Sequence, residues 1–381
     1  MEDVFLTNLL TVPDAGRLRP GALTLMANRP VTFAAVGLAH PHSDLLTAML
    51  LQEGAVLAAV VEDDAACRAR HEAATTSAPR RELTEVLEDD AIDLVLTAAV
   101  PNERAIIAAA ALRHGKHVLA DKPCCLTDDE LRDVRAAQQS SGRGFAVWYG
   151  ERVYNPAALL AVDLVRDGVI GDLLHFVGLG PHQLNLMPRP SWFYDRRLAG
   201  GILPDLACHQ IDMFLACSGN DSATVTAARA VNRHHRDRPN FEDLGDLVLE
   251  SAGGVRGYAR VDWHSPDGLG TWGDGRTFLV GSKGTLELRR TIDPAADGQG
   301  AYVILVDANG PRRLDVAARP VTFVGDVVAD VRDHTETAMT SAHAFAVIEL
   351  ALTADAMARQ QPAIGFGPTF RREAIGERSH V

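Results

Sequence analysis

The chain has 381 residues and an apolar fraction of 47%, which is typical of a protein with two globular domains of roughly 100–200 residues each. Acidic residues outnumber Lys and Arg by 50 to 37, and the formal net charge of −13 excludes the basic face with which proteins bind nucleic acid or an anionic membrane non-specifically. Five cysteines without a C-x-x-C spacing indicate neither a disulfide framework nor a zinc ribbon, and we therefore expect a reducing, cytoplasmic setting.

The N-terminal segment carries no strong hydrophobic period. Residues 1–30 are either an arm that packs on a neighbouring subunit or a leader that precedes a start at Met26, and both interpretations stay open. The acidic start Met1-Glu2-Asp3 lacks the basic region of a signal peptide. No apolar run reaches the ~18 residues of a membrane span, so we expect neither a membrane nor a nucleic-acid partner.

The first predicted unit is a strand, a turn, a helix and a second strand. The first strand covers 31–36, the helix begins at His42, and the second strand covers 56–61 and ends at Glu62. An acidic residue at this place, 25 positions after Gly37, is typical of a βαβ unit that binds a dinucleotide, in which the carboxylate holds the adenosine ribose.

The turn between this strand and its helix matches the glycine fingerprint of such units only in part. It comprises Gly37, Leu38, Ala39, His40, Pro41 and His42. Ala39 and His42 stand where the second and third glycines belong, and Pro41 lacks the N–H that could meet a pyrophosphate. On the turn alone, an ordinary βαβ connection without a nucleotide stays open.

Strands and helices alternate to about residue 150. Predicted strands cover 92–97, 118–120 and 145–149, and predicted helices cover 83–87, 101–112 and 127–139. This alternation predicts a doubly wound parallel sheet with right-handed crossovers. Ligands of such sheets bind at the carboxyl ends of the strands, where Gly37, Glu62, Pro101 and Lys122 fall.

The second half of the chain is richer in strands. Predicted helices cover 156–167, 205–217 and 338–357, and predicted strands cover 173–179, 225–231, 247–250, 255–262, 277–280, 285–288 and 302–306. Strands grouped in this way predict an α+β domain with an open, largely antiparallel sheet. Residues 361–381 are polar, and we expect a loose tail there.

One helix of the second half carries a cluster of polar residues. The cluster follows the turn Gly200-Gly201. Asp205 and His209 are four residues apart, and Asp212 follows His209 by three residues. Helical spacing predicts that the three side chains share one face. A carboxylate beside an imidazole fixes its tautomer and tunes its pKa for proton transfer. A capped helix with a satisfied histidine and a metal site are the alternatives that the spacing alone leaves open.

With these residues in place, the chain resembles the glucose–fructose oxidoreductase / inositol dehydrogenase / rhizopine-catabolism (Gfo/Idh/MocA) family over about residues 31–357. Four marks carry the resemblance in the family's order, and the ordered set is more specific than any one of them. They are the turn at Gly37, Gly115-Lys116-His117-Val118-Leu119-Ala120-Asp121-Lys122-Pro123 with Asp for the family's Glu, the Gly200-Gly201-x3-Asp205-x3-His209-x2-Asp212 pattern, and Gly281-Ser282-Lys283-Gly284-Thr285-Leu286-Glu287.

The resemblance implies a Rossmann dinucleotide-binding domain over 31–151 and a substrate-binding and oligomerisation domain over 152–360. It implies hydride transfer between a nicotinamide cofactor and a secondary alcohol or ketone of a sugar, glycoside or cyclitol. His209 is then the general acid/base, Asp205 its partner and substrate anchor, and Lys122 the donor to the reacting oxygen. A homodimer or homotetramer is expected, without a metal ion.

The resemblance also assigns the binding residues. Expected at the cofactor are Gly37, Leu38, Ala39, His40, His42, Glu62, Pro101, Asn102, Asp121 and Lys122. Expected at the substrate are Trp192, Asp195, Arg196, Asp205 and His209. Because Glu62 repels a 2′-phosphate and no Lys or Arg follows it before Arg68, NAD is favoured over NADP. A cis bond before Pro123 is a further hypothesis, since it positions Lys122.

The chain departs from the family at two places: Arg104 and Val153 stand where a histidine and an arginine are frequent. Rival functions on the same scaffold are an oxidoreductase with a retained cofactor, an NAD-dependent glycosidase and a non-enzymatic nucleotide sensor. Lys122, Asp205 and His209 favour an enzyme, because a sensor has no need of them.

Overall fold

The computed structural model describes residues 29–219, 222–296 and 300–360. The predicted tail over 361–381 lies outside the described residues, as does the predicted arm over 1–30 except for its last two positions.

The first sheet is parallel throughout, as predicted, and has the strand order β2-β1-β3-β4-β5. Its strands are β1 Thr32–Val36, β2 Val56–Val61, β3 Leu94–Thr97, β4 His117–Asp121 and β5 Phe145–Trp148. Its helices are α1 His42–Gln52, α2 Ala65–Ala74, α3 Leu83–Glu88, α4 Pro101–Arg113 and α5 Asp128–Ser141. Because β1 pairs with both β2 and β3, the winding reverses beside β1, which is where such sheets bind ligands.

Helix α2 was not predicted from the sequence. Its buried side is limited to His71, so it shows no apolar stripe. The helix begins because the Asp64 side chain accepts the N–H groups of Ala66 and Cys67. The sequence therefore contained the N-cap of this helix, but it did not contain the hydrophobic period by which a helix is predicted.

The second sheet has eight strands in the order β13-β12-β11-β10-β6-β9-β8-β7. It is antiparallel except for the parallel pair of β6 and β9, which confirms the predicted α+β architecture. The strands are β6 Leu173–Pro181, β7 Ala223–Val231, β8 Leu244–Ser251, β9 Arg256–Asp262, β10 Arg276–Gly281, β11 Gly284–Arg289, β12 Tyr302–Asp307 and β13 Gly310–Leu314. Strand β13 escaped prediction because it is a short edge strand with charged residues.

The helices of the second half connect the two sheets. They are α6 Gly150–Val153, α7 Pro156–Arg166, α8 Arg196–Ala199, a π-helical turn Leu203–Ala207, α9 Cys208–Ser218, α10 Phe323–Asp333 and α11 Ser341–Gln360. Short 3-10 turns cover Leu184–Leu186, Ser191–Tyr194 and Asp267–Leu269.

After β13 the chain returns to the first sheet, which the predicted domain boundaries did not anticipate. Phe323 of α10, an unpredicted helix, lies with its ring 5.7 Å from that of Trp148. Phe345 of α11 stacks on Phe145 at 5.0 Å. Helix α11 also packs on β7 of the second sheet, so the segment 323–360 contacts both units.

Among the described helices, α11 has the length and apolar composition of a membrane span, with a mean hydropathy of 1.2 over the window tested. The sequence predicted this helix over 338–357. Since 61% of that window is buried inside the protein, α11 has the packing of a core helix.

Glycine at position 37 is a testable requirement of the fold. Its φ is +71°, and an added Cβ would lie 2.3 Å from the Ala99 Cβ. We expect Gly37→Ala to lower the free energy of unfolding by about 2–4 kcal/mol through strain and overpacking. The matched control is Gly54→Ala, which has φ +81° and open space around the Cβ and should lose about 1–2 kcal/mol. Denaturant unfolding of both variants is the measurement, and equal losses would contradict the role of the contact with Ala99.

Candidate active site

An ion pair between Lys122 and Asp205 marks the place where the two halves of the chain meet. The Lys122 Nζ lies 2.7 Å from the Asp205 Oδ1, across 83 positions of sequence. Lys122 directly follows β4, and its bond to Pro123 is cis, as hypothesised. Burial disfavours the ammonium, but the Asp205 carboxylate and other nearby acidic groups raise the pKa of Lys122. The site therefore keeps a positive charge at the carboxyl end of β4.

The segment that carries Asp205 is a π-helical turn rather than the start of an α-helix. Gly200 and Gly201 both have φ +92°, a left-handed conformation that glycine adopts without strain, and they lead into it. Hydrogen bonds of the i→i+5 type widen this turn, so the side chains after it are displaced from ideal helical positions. The three residues predicted to share one polar face, Asp205, His209 and Asp212, have different partners.

His209 is buried and has no carboxylate partner among the described residues, whereas the resemblance implied Asp205 as its partner. Its Nδ1 is buried without a hydrogen-bond partner among the described residues, and the Tyr149 ring meets it edge-on at 6.3 Å. Burial lowers the pKa of His209 well below its ordinary value, and the charges of Lys122 and neighbouring groups lower it further. The imidazole is therefore neutral at neutral pH and has an unsatisfied atom to offer a ligand.

Asp212 is a structural anchor. Its carboxylate accepts two hydrogen bonds from Arg152, at 2.6 and 2.7 Å, and lies 2.8 Å from the His343 Nε2. These contacts join α9 to α6 and α11. The pKa of Asp212 is lowered: burial opposes ionisation, but Arg152 and His343 outweigh it.

A second buried carboxylate, Asp121 at the end of β4, collects the polar groups of the dinucleotide turn. Its oxygens lie 2.8 Å from the His42 Nδ1, 3.4 Å from the His40 Nδ1 and 3.1 Å from the Arg104 Nη2. Arg104 also donates to the carbonyls of Ala99, Lys122 and Pro123. Arg104, which stands where the family frequently has a histidine, thus connects α4 to the end of β4.

The nitrogen and oxygen atoms of His40, His42 and Asp121 lie within 4.8 Å of one another, a spacing that would also suit a metal ion. Arg104 already supplies the positive charge that Asp121 requires. We therefore interpret the group as a network of ion pairs.

The end of β2 presents both kinds of group that recognise an adenosine ribose. The Glu62 carboxylate accepts the N–H groups of Leu38 and Asp64, at 2.7 and 2.9 Å. Arg68 donates to the carbonyls of Glu62 and Asp63, which brings a guanidinium to the same place. A carboxylate suits the ribose hydroxyls and an arginine suits a 2′-phosphate.

The remaining predicted cofactor residues line the same sheet edge. Leu38 is buried beneath the turn, and the N–H of Ala39 has no partner among the described residues. Pro101 opens α4, and the Oδ1 of Asn102 is buried without a described partner. Unsatisfied polar atoms beside a glycine turn fit a bound dinucleotide.

The predicted substrate residues before Gly200 are mostly occupied by structural contacts. Asp195 caps α8 by accepting the N–H of Arg197 and pairs with its guanidinium. Arg196 forms ion pairs with Glu242 and with Asp355 of α11, and its contact with the substrate stays a prediction. Trp192 is partly buried, with its ring 6.3 Å from Phe193.

Sequence reasoning missed a buried polar network beside His209. Glu151 accepts from Gln210 at 2.7 Å, pairs with Arg290 at 2.7 Å, and lies 3.4 Å from the His182 Nε2. Burial raises the pKa of Glu151 and lowers that of His182. The sequence did contain one signal for this network, which is that its residues come soon after predicted strands. Glu151 follows β5 and His182 follows β6, just as Lys122 follows β4.

Comparison with known families agrees with this geometry. Residues 31–149 match the model of the oxidoreductase family with an NAD-binding Rossmann fold, and residues 159–287 match the Gfo/Idh/MocA C-terminal domain. The chain belongs to the Gfo/Idh/MocA oxidoreductase family.

Individual relatives extend the comparison. A candidate oxidoreductase from Erwinia carotovora atroseptica SCRI1043 is 38% identical with a TM-score of 0.83, over 86% of this chain and 98% of that one. Levoglucosan dehydrogenase of Pseudarthrobacter phenanthrenivorans is 32% identical over 36% of each chain. Inositol 2-dehydrogenase 2 of Saccharopolyspora erythraea is 28% identical over 53% of this chain and 56% of its own. The matched region thus covers about a third of the levoglucosan dehydrogenase and about half of the inositol dehydrogenase.

The structural role of Asp212 can be tested separately from catalysis. Asp212→Asn leaves the buried Arg152 charge uncompensated, and we expect a loss of about 3–5 kcal/mol in the free energy of unfolding. Asp133→Asn, which removes a solvent-exposed pair with Arg113, should lose at most about 1 kcal/mol. Denaturant unfolding measures both, and similar small losses would refute an anchoring role for Asp212.

Proposed function

We propose that this protein is a dehydrogenase or reductase that transfers hydride between a nicotinamide dinucleotide and a secondary alcohol or ketone of a sugar, glycoside or cyclitol. One observation carries the proposal: the Lys122–Asp205 ion pair, 2.7 Å long, lies near the neutral, buried His209 at the ligand-binding edge of the first sheet. The dinucleotide supplies the hydride acceptor or donor when bound.

Each member of this cluster has a role in alcohol oxidation. A neutral His209 takes the O–H proton as hydride leaves the carbon. The Lys122 ammonium donates to the oxygen on which negative charge develops. Asp205 keeps Lys122 charged and has lone pairs left to accept a neighbouring substrate hydroxyl.

The cofactor assignment rests on the edge of the first sheet. The turn from Gly37 to His42, with Pro101 and Asn102 opposite, would hold the pyrophosphate and the nicotinamide half. Glu62 would hold the adenosine ribose, and on this ground NAD is proposed over NADP, with Arg68 as the group through which NADP would bind instead. The order of strands around β1 supports this placement.

The substrate class follows from the family and from the groups around His209. The relatives named as levoglucosan and inositol dehydrogenases support a polyhydroxylated ring. In this chain Glu151, Arg290 and His182 offer both donors and acceptors for hydroxyl groups. Trp192 offers an apolar face for such a ring.

A homodimer or homotetramer in the cytoplasm is also proposed. All five cysteines are free thiols, consistent with a reducing compartment. Leu174, Val280 and Val306 are exposed apolar residues on β6, β10 and β12, which suits a sheet face covered by another subunit. Light scattering of the purified protein measures the assembly, and a monomer would refute this part of the proposal.

The function is tested by the absorbance of reduced nicotinamide at about 340 nm. The full-length protein is given NAD and, separately, NADP with a panel of aldoses, glycosides and inositols. We expect the signal to rise with NAD and at least one member of the panel. A silent panel combined with confirmed dinucleotide binding would contradict turnover of free cofactor and favour a retained cofactor or a sensor.

The role of His209 predicts a specific pH dependence. We expect His209→Ala to lower kcat by roughly 100-fold or more while NAD affinity stays nearly unchanged. His209 must be deprotonated to act as the base, and its pKa is lowered. We therefore expect kcat/KM for oxidation to stay constant through neutral pH. It should fall only at pH values well below the ordinary pKa of histidine. The variant should lose this acidic limb, and near-wild-type turnover would refute the assignment.

A further inference from the structure

Arg189 is a half-buried cation without a carboxylate partner among the described residues. Its Nε lies 3.3 Å from the Leu184 carbonyl, and its Nη2 lies 3.5 Å from the Gln183 carbonyl. Its Nη1 has no acceptor among the described residues and is not one of the buried unpaired atoms. One side of the guanidinium is thus directed at the backbone, and the Nη1 is open to a ligand.

Two aromatic rings hold this guanidinium in place. Its central carbon lies 4.8 Å from the centroid of the Phe193 ring and 5.1 Å from that of Trp263, which is a cation–π arrangement. Phe193 also meets Trp192, the aromatic residue predicted at the substrate, with ring centroids 6.3 Å apart. Because Arg189 is held before any ligand arrives, binding costs little of its side-chain entropy.

Arg189 lies close to the candidate active site. The Trp263 ring that contacts it also lies 5.4 Å from the ring of His182, and Arg189 contacts the carbonyl of the next residue, Gln183. The His182 Nε2 lies 3.4 Å from Glu151, in the buried network already described. Arg189 and His182 therefore contact the same ring, so a single ligand of the size of a sugar can meet both.

The charges of the site leave Arg189 unmatched. Lys122 is paired with Asp205, and Arg290 is paired with Glu151, each at 2.7 Å. Burial lowers the pKa of Arg189, and Asp205 is the one carboxylate among the described residues whose charge opposes this. Arginine nevertheless stays protonated near neutral pH. The two ion pairs cancel, so Arg189 gives the site one positive charge in excess.

The histidines of the site do not change this balance. Burial lowers the pKa of His182 and of His209 well below the ordinary value, and the charge of Lys122 lowers both further. Both rings are therefore neutral at neutral pH. A neutral sugar ring would leave the excess charge of Arg189 uncompensated in a half-buried position, whereas a ligand with one negative charge would match it.

A carboxylate fits this cation better than a phosphate does. The planar fork of a guanidinium matches the geometry of both groups. A carboxylate brings one negative charge, but a phosphate monoester brings about 1.5–2 at pH 7. The additional charge would lie in a site that already holds the carboxylate of Asp205. The charge balance therefore favours the carboxylate.

We propose that the substrate is a sugar acid, a polyhydroxylated ring that carries a carboxylate, and that Arg189 binds this carboxylate while Lys122 and His209 act on a secondary alcohol of the same molecule. This inference rests on the proposed function, since it names the substrate class within it. Arg189 then determines specificity and takes no part in proton or hydride transfer. Its contribution is to binding, and its loss should raise KM more than it lowers kcat.

Matched pairs of neutral and carboxylated rings test the substrate class. The probes are glucose with glucuronate, galactose with galacturonate, inositol with quinate, and glucose 6-phosphate as the phosphate arm. The full-length protein is titrated calorimetrically with each probe, with and without NADH. Turnover with NAD and with NADP is followed by the absorbance of the reduced nicotinamide. We expect at least one carboxylated ring to bind about tenfold or more tightly than its neutral counterpart, and more tightly than glucose 6-phosphate.

Substitutions identify the residue. Arg189→Gln removes the charge, and we expect it to weaken binding of the preferred carboxylated ring by roughly 30-fold or more while the neutral counterpart is nearly unaffected. Arg189→Lys keeps the charge but loses the planar fork, and its affinity should lie between the two. The matched control is Arg166→Gln, an exposed position on α7 that pairs with Asp163, which should behave as the wild type.

The outcomes separate the two proposals. Carboxylated rings that bind no more tightly than neutral ones, or a preference for glucose 6-phosphate, would overturn this inference. Equal weakening of both members of a pair in Arg189→Gln would mean that Arg189 only supports its loop, and would overturn it as well. In each of these cases turnover of a neutral ring leaves the proposed dehydrogenase intact. If no probe binds and none is turned over with either dinucleotide, the proposed function fails together with this inference.

Discussion

The ion pair between Lys122 and Asp205 joins two segments that belong to different sheets and lie 83 residues apart. A buried ammonium without a carboxylate would be strongly destabilising or would lose its charge. The positions of β4 and of the π-helical turn are therefore tied to each other at the point where substrate and cofactor are expected to meet. Arg104 strengthens the arrangement because it donates a hydrogen bond to the Lys122 carbonyl.

Burial by itself lowers the pKa of two neighbouring groups, His209 and Lys122. His209, which has no carboxylate partner among the described residues, keeps this lowered pKa, whereas Asp205 raises the pKa of Lys122. Environment alone thus gives one group the form of a base and the other the form of a cation at neutral pH. Hydride transfer to and from a secondary alcohol needs this combination. Asp212, the third member of the sequence motif, contributes by holding α9 in place.

The departures from the family pattern lie in contact with one another. His40, His42, Asp121 and Arg104 form one network at the ends of β1 and β4. The Asp that replaces the family's Glu thus lies against the two imidazoles that the turn carries in place of glycines. Read separately in the sequence, each looked like a weakened motif.

Local pattern was enough to predict the architecture. Strand–helix alternation predicted the parallel sheet, grouped strands predicted the antiparallel one, and the ordered motifs identified the family. The predictions failed for α2, α10 and β13, which either lack an apolar stripe or pack where the chain returns to the first sheet. Hydrophobic periodicity could have indicated α10, whose buried Phe323, Val327 and Val331 recur at helical spacing, but it could not indicate α2, whose buried side is limited to His71.

The sequence by itself determined which residues carry chemistry, and the tertiary structure decided which of them are partners. Helical spacing placed Asp205, His209 and Asp212 together, yet Asp205 pairs with Lys122, and Asp212 pairs with Arg152 and His343, 60 and 131 residues away. Arg196, which was predicted at the substrate, is paired with Glu242 and Asp355. Side-chain direction at such sites is set by a π-helical turn and by charges brought in from remote segments, because a buried ionised group is stable only beside its counter-charge.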